Sequence, residues 1–212
     1  MMKIAIFGES TADEDATAIL VSGILGADIE RPHLPSLRTR GWSQMLAELP
    51  RIIRALHFNS DADGLVVIAD SNGHSLHGPE HEEAPKSDAD CRFCAIREVA
   101  QCELARLKAR PVLPPLRVAV GLAVPALEAW LLSQRRTGLT EAMVKVARQE
   151  RRELHSRAQL KELLYGTSRP TLELETAKMV EHMREIVRDL QRLRTAFPGG
   201  FGPLYDEIMT WK

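Results

Sequence analysis

The stretch Gly64-Leu65-Val66-Val67-Ile68-Ala69-Asp70 decides the fold of this chain. A continuous apolar run rich in β-branched residues, bounded by glycine and an acid, is typical of a strand buried on both faces of a parallel sheet. Residues 3–8 and 118–124 have the same character. Segments with helical spacing separate the three runs, so the sequence predicts an α/β fold with a small, mostly parallel sheet flanked by helices.

The last third of the chain is charged and rich in helix-forming residues. Helices are predicted at residues 140–154, 157–164, 172–195 and 204–209. We therefore divide the chain into an α/β core at residues 1–134 and a helical C-terminal extension at 135–212 that packs on it. Within the core, residues 71–87 are polar and lack periodicity. A loop of this length in a compact domain is usually functional or disordered.

Composition indicates a soluble, cytoplasmic protein. The chain has 212 residues, 44% of them hydrophobic, and its three cysteines fit a reducing compartment better than a disulfide framework. Acids interrupt the apolar N-terminus, and no apolar run approaches the roughly 20 residues that span a bilayer. Residues 1–100 hold 9 Lys and Arg against 16 Asp and Glu, so the acidic charge is concentrated in the first half.

Acidic residues follow two of the predicted strands. Glu9 and Asp13 come after the first, and Asp70 ends the second, two residues before Asn72. Ligands of open α/β sheets bind at the carboxyl ends of the strands, and carboxylate and amide oxygens suit a hard cation such as Mg²⁺. The alternative is that Glu9 and Asp70 only cap the helix or turn that follows each of them.

Glu128 is the most unusual acid of the second half. It lies in an apolar segment near the start of a helix that follows the third strand, next to Trp130. A carboxylate in such surroundings needs a partner or a metal ion. The alternative is an acid favoured by the helix dipole and paired with an arginine.

These motifs together resemble Toprim-like proteins. The resemblance rests on Glu9 with Asp13, on Asp70-Ser71-Asn72, on Glu128-Ala129-Trp130-Leu131-Leu132 and on the segment Arg194–Phe201. It is nearest to a bacterial Toprim-like group with a Glu-Ala-Trp helix. Relatives with this fold bind Mg²⁺ through a strand-end glutamate and an Asp-x-Asp pair, and they cut or join nucleic acid.

The resemblance implies roles for individual residues. Glu9 corresponds to the strand-end glutamate, Asp70 to the first aspartate and Asn72 to the second. Asn72 departs from the pattern because it is an amide, which bears on binding of a second metal ion. The resemblance also implies a role in bacterial defence alongside an ATPase subunit, as in some relatives.

A second group of residues suggests zinc. Cys91 and Cys94 form a C-x-x-C motif after a loop that holds His74, His77 and His81. Two thiolates and two imidazoles make a tetrahedral Zn²⁺ site, and His77 with His81 is the predicted pair. On a helix through this segment, Cys91 would lie opposite the apolar stripe, which argues against a simple core cysteine. An exposed or partner-facing thiol is the alternative.

Basic residues suggest a contact with nucleic acid. Arg148, Arg151 and Arg152 share one face of a predicted helix and are candidates for binding a phosphate backbone. The alternative is a solvated helical face.

Two functions follow from these observations. The first is a nuclease, or a related phosphoryl-transfer enzyme, that uses Mg²⁺ or Mn²⁺ held by Glu9, Asp13, Asp70 and Asn72, with Glu128 in support. The second is a non-catalytic Toprim-like module that binds a protein partner such as an ATPase, its acid pocket having lost activity at Asn72.

Overall fold

The structure, a computed structural model, describes residues 1–34, 41–83, 90–110, 112–134 and 139–212. Its described strands are β1 (Met2–Phe7), β2 (Ile29–Glu30), β3 (Gly64–Asp70) and β4 (Arg117–Ala123). They form one sheet in the order β2-β1-β3-β4, and every pairing is parallel. The α/β prediction is confirmed, and the three predicted strands match β1, β3 and β4 to within one residue at each end.

Strand β3 lies at the centre of the fold. All seven of its residues are buried, because helices cover both faces of the sheet. Its register pairs Leu65 with Ala5 on one side and with Val118 on the other. Burying one such aliphatic side chain contributes about 1.5–3 kcal/mol, which is why a continuous apolar run occurs here.

The helices occupy the segments between the strands and nearly all of the C-terminal third. They are α1 (Thr11–Leu25), α2 (Trp42–Asn59), α3 (Glu80–Glu83), α4 (Arg92–Arg106), α5 (Leu127–Leu132), α6 (Glu141–Gln149), α7 (Arg157–Tyr165), α8 (Leu172–Ile186), α9 (Leu190–Ala196) and α10 (Gly202–Met209). Helix α2 runs through Pro50 without a break. The helix predicted at 172–195 is two helices, since Asp189 caps a new one by accepting a hydrogen bond from the Arg192 amide.

The C-terminal helices pack directly on the α/β core. Helix α8 lies against α1, α7 against α5, and α10 against β4. The predicted domain boundary lies between residues 134 and 135, and residues 135–138 lie outside the described residues. The last part of the predicted polar loop, residues 84–87, also lies outside them. The rest of the extension covers the sheet and the carboxyl end of its strands.

The segment Arg194–Phe201 packs against α5, the helix that carries the Glu-Ala-Trp motif. The ring of Trp130 is fully buried, with its centroid 5.4 Å from that of Phe201 and 6.2 Å from that of Phe197. Between these two phenylalanines the chain passes so close to its neighbours that a Cβ on Gly199 would lie 2.1 Å from the His77 carbonyl oxygen. Glycine is needed there, and the turn supports the segment that carries His77.

No helix that the structure describes combines the length and the apolar character needed to cross a membrane.

Candidate functional site

Four carboxylates gather at the carboxyl edge of the sheet. Glu9 follows β1, Asp70 ends β3, and Glu128 lies in the first turn of the helix after β4. Asp13 joins them from the first turn of α1. Because β1, β3 and β4 are neighbours in the sheet, their carboxyl ends meet, as the sequence predicts.

A cavity of about 260 Å³ opens beside this acid cluster. Glu9, Asp13 and Glu128 line one side of it. Helix α7 supplies residues one turn apart on the other side, and these are Arg157, Lys161 and Tyr165. The helical extension therefore completes the site that the strand ends begin.

Hydrogen bonds tie Glu9 and Asp70 to each other and to their surroundings. Glu9 Oε1 accepts from the Asp70 amide at 3.1 Å and from Arg92 Nη1 at 3.2 Å. Asp70 Oδ1 accepts from the Leu127 amide at 3.0 Å, and Oδ2 lies 3.0 Å from Arg157 Nη2. Asp70 thus caps α5, a helix distant in sequence, and not the turn that follows it.

Burial and mutual repulsion raise the pKa of two members of this cluster, Asp13 and Asp70. Burial is the main reason that the pKa of Asp13 rises to about 7, and the nearby charges of Glu128 and Glu9 add to the shift. Burial also raises the pKa of Asp70 well above its usual value, with Asp13 and Glu128 contributing. Both shifts come mainly from burial of the carboxyl groups, so Asp13 and Asp70 hold a proton more readily than carboxyl groups in water.

The acid cluster offers carboxylate oxygens, the ligand type that a hard divalent cation prefers, but the carboxylates do not form a closed cage. Within the described ranges, they bring no three ligand atoms together as closely as the histidines and cysteines discussed below. The guanidinium of Arg157 lies between the side chains of Asp70 and Asn72, and its Nη1 donates to Asn72 Oδ1 at 3.2 Å. Asn72 itself has a φ of 42°, a left-handed conformation that asparagine tolerates.

Replacing Asp13 by asparagine is expected to stabilise the protein at pH 8 in buffer without Mg²⁺ or Mn²⁺. Between about pH 4 and 7 native Asp13 keeps a proton that the unfolded chain releases, so stability falls as the pH rises through this window. An uncharged amide avoids this cost, which is at most about 4 kcal/mol.

Thermal denaturation of wild type and Asp13→Asn at pH 8 and pH 4 measures this effect. The advantage of the variant should disappear near pH 4. An equal difference at both pH values would show that Asp13 does not carry a raised pKa.

A second cluster of side chains, which we call the Cys/His cluster, can bind a metal ion. His77, His81, Cys91 and Cys94 place one ligand atom each within 4.8 Å of all the others. Three of these residues are buried, and His81 is half-buried. Of the three candidate histidines, His74 lies apart, with its Nδ1 2.9 Å from Asp90 Oδ1.

The start of α4 explains how the two cysteines meet the histidines. Cys91 is the N-cap residue and Cys94 lies in the first turn, so both face the preceding loop. The prediction that Cys91 lies opposite the apolar stripe is wrong, because Cys91 precedes the helix and is fully buried. Phe93 stacks on the His77 ring with centroids 4.0 Å apart, and Cys102 is exposed further along α4.

Arg92 connects the Cys/His cluster to the acid cluster. It lies between Cys91 and Cys94 in sequence, and its side chain is 9% exposed. Arg92 Nη1 donates to the Asp70 carbonyl oxygen at 2.8 Å as well as to Glu9. The same turn of chain therefore supplies two potential metal ligands and a cation that holds Glu9 in place.

The arginines predicted to contact nucleic acid lie in different surroundings. Arg148, in the last turn of α6, is half-buried and donates to the His74 carbonyl oxygen and to Ser71 Oγ. The prediction that the three arginines share one face of a helix is wrong, because α6 ends at Gln149 and Arg151 and Arg152 are exposed in the turn that follows.

The sequence predicts the helix α7 and its basic residues, but it assigns none of them to the acid cluster. A usable signal exists, because Ser156 and Gln159 form a capping box that marks the start of the helix. From that start, Arg157, Lys161 and Tyr165 follow at intervals of four residues, which places them on one face. Tyr165 donates a hydrogen bond to Glu128 Oε1 at 3.4 Å.

No protein-family model, curated protein or solved structure matches this chain. Its class is defined by its own fold and sites. It is a parallel α/β protein with an acid cluster at the carboxyl edge of its sheet and, beside that cluster, a buried Cys/His cluster that can bind a metal ion.

Proposed function

We propose that this protein is a Toprim-like phosphoryl-transfer enzyme, a nuclease that depends on Mg²⁺ or Mn²⁺. The observation that carries the proposal is the acid cluster, in which Glu9, Asp13, Asp70 and Glu128 meet at the carboxyl edge beside an open cavity. Repulsion between neighbouring carboxylates adds to the burial that raises the pKa of Asp13 and of Asp70, and a divalent cation would relieve that repulsion.

Individual residues have distinct roles in this proposal. Glu9 and Asp70 would hold the cation, with Asn72 completing the shell directly or through water. When bound, the cation supplies polarisation of the phosphodiester and neutralises the charge that develops on the leaving oxygen. Glu128 supports the cluster from α5, where Tyr165 orients its carboxylate.

Asp13 is better placed than Glu9 to take a proton from the attacking water. Glu9 Oε1 already accepts two hydrogen bonds, and its position is set by Arg92. Asp13 faces the cavity with a pKa of about 7, close to the working pH of a general base. Arg151 and Arg152, both exposed, would hold the nucleic-acid backbone without reading its sequence, so binding should weaken steeply with salt.

One observation favours the alternative of a non-catalytic module that binds a protein partner such as an ATPase. Both carboxylate oxygens of Asp70 have protein partners, namely the Leu127 amide and Arg157. An acid pocket that is neutralised from within is expected where activity has been lost. Cation binding separates this alternative from the nuclease.

Addition of Mg²⁺ or Mn²⁺ is expected to raise the melting temperature, and Glu9→Gln is expected to abolish the shift. A ligand that binds only the native state adds about 2.7 kcal/mol at a hundred times its dissociation constant. Glutamine keeps an acceptor oxygen for Arg92 and the Asp70 amide, so the variant should fold.

Glu30→Gln is the matched control for this experiment. Glu30 pairs with Lys3 at the amino end of the strands, on the opposite edge of the sheet. Its substitution should leave the cation response intact. Wild-type protein that shows no shift with either cation would favour the binding module.

We further propose that the Cys/His cluster holds a structural Zn²⁺. Cys94 Sγ lies 3.6 Å from Nδ1 of both His77 and His81, and Cys91 Sγ lies 3.9 Å from Nδ1 of His77. Ligand bonds of 2.3 Å to sulfur and about 2.05 Å to nitrogen place tetrahedral ligands about 3.5 Å apart, so these spacings fit zinc. Four protein ligands leave no open position, which indicates a structural role. Elemental analysis of protein purified without chelator tests this assignment.

A further inference from the structure

Arg157 contacts side-chain oxygens that the proposed cation would need. Its Nη2 lies 3.0 Å from Asp70 Oδ2, and its Nη1 donates to Asn72 Oδ1 at 3.2 Å. Its side chain is 50% exposed, whereas that of Asp70 is 7% exposed. The guanidinium therefore lies at the boundary between the buried acids and the open cavity.

We infer that Arg157 is a catalytic residue that binds a phosphate oxygen of the substrate, and that it exchanges Asp70 and Asn72 for that phosphate when the divalent cation binds. This inference rests on the proposed function. A cation held by Asp70 and Asn72 would need the oxygens that Arg157 now contacts, and its charge would repel the guanidinium. A phosphodiester next to the cation offers new acceptors that match the arginine fork.

The exchange requires movement of one side chain only. The backbone of Arg157 is held by the capping box of α7, and further along the helix Leu160 and Leu164 are buried in the core. Half of the Arg157 side chain already faces solvent, so turning toward a ligand in the cavity uncovers little apolar surface. Because the helix is fixed and only the guanidinium must turn, Arg157 is suited to contact a bound phosphate.

The other basic residues near the site are less suited to this role. Arg148 is half-buried and bound to Ser71 and His74, which set the path of the loop. Arg92 is 9% exposed and bound to Glu9 and the Asp70 carbonyl. Lys161 lies deeper along the cavity and pairs with Glu175. Arg157 alone among these four contacts the side chains of both Asp70 and Asn72.

The test compares Mn²⁺ affinity and cleavage kinetics in wild type, Arg157→Gln, Arg157→Lys and Arg51→Gln. Arg157→Gln removes a competing positive charge, so we expect it to bind Mn²⁺ about 3- to 10-fold more tightly. The same variant should lose about 100-fold in kcat/KM on a labelled oligonucleotide, because a charged phosphate contact is missing.

The two other variants serve as controls. Lysine keeps the charge but not the fork, so Arg157→Lys should keep wild-type Mn²⁺ affinity and recover part of the activity. Arg51 is exposed on α2 and pairs with Glu48, and Arg51→Gln should change the Mn²⁺ affinity and kcat by less than about twofold.

The outcomes distinguish this inference from the proposed function. Wild-type protein that binds no Mn²⁺, or binds it without cleaving nucleic acid, contradicts the proposed function and removes the inference with it. If wild type binds and cleaves while Arg157→Gln does both equally well, only the role of Arg157 is wrong. If Arg157→Gln or Arg157→Lys folds but loses Mn²⁺ binding, Arg157 supports the acids structurally, and the inference is overturned.

Discussion

Asp70→Ala is expected to lower kcat/KM for nucleic-acid cleavage about a thousandfold, which corresponds to about 4 kcal/mol of transition-state stabilisation. Asp70 is the central acid of the cluster, because β3 lies between β1 and β4 and ends at this residue. Without its carboxylate, the proposed cation loses a ligand that no neighbouring strand replaces.

Alanine also removes the acceptor for the Leu127 amide at the start of α5, so a second variant is needed. Asp70→Asn retains an oxygen for that hydrogen bond and removes only the charge. We expect it to melt close to wild type and to lose activity almost as completely. If Asp70→Asn stays folded and loses activity, the charge of Asp70 is needed for the reaction and not only for the fold.

The assay is cleavage of single- and double-stranded DNA and RNA with Mg²⁺ or Mn²⁺, with Glu9→Ala tested in parallel. Wild type should cut at least one of these substrates, and both acid variants should not. Equal trace activity in wild type, Asp70→Ala and Glu9→Ala would contradict the nuclease, and the partner-binding module would then be preferred.

Loss of the Cys/His metal site is expected to destabilise the protein strongly. Zinc contributes roughly 10–16 kcal/mol to the folding of small zinc domains, more than the whole stability of many proteins. Here the ligands join the loop at His77 and His81 to the first turn of α4. Loss of one ligand should cost several kcal/mol, or roughly 10 °C in melting temperature for a chain of this size.

Cys94→Ser and Cys102→Ser form a matched pair for this measurement. Both cysteines lie on α4, but Cys94 is buried in the cluster and Cys102 is exposed. Wild type and Cys102→Ser should contain about one zinc per chain and melt together, whereas Cys94→Ser should lose both zinc and stability. Zinc well below one per chain in wild type, unchanged in Cys91→Ser, would refute the assignment.

Local patterns in the sequence were sufficient to predict three of the four described strands and the edge of the sheet at which the acids gather. A strand buried on both faces needs an unbroken apolar run, and the residues of β3 before Asp70 form such a run. Because parallel strands end at the same edge, the acids after β1 and β3 and the one following β4 had to gather there. The C-x-x-C motif likewise places two thiols within reach of one ion.

The histidine pair that the sequence predicts, His77 and His81, is the pair that lies in the cluster, but the reason that His74 is not part of it is a tertiary one. Periodicity says nothing about the path of a polar loop, and three histidines were available in it. The close approach of the glycine turn at residue 199 to the His77 carbonyl sets that path, and Asp90 binds His74 away from the cysteines. Those contacts join residues far apart in sequence, so no local pattern encodes them.

The partners of the acids were likewise decided only by the tertiary structure. The sequence determined which strands end in acids, because that is a property of neighbouring residues. That Asp70 caps α5, 57 residues away, and faces Arg157 from α7 follows from how the C-terminal helices pack on the sheet. Packing depends on the shapes of whole surfaces, which is why the α7 side of the cavity was not predicted although its helix was.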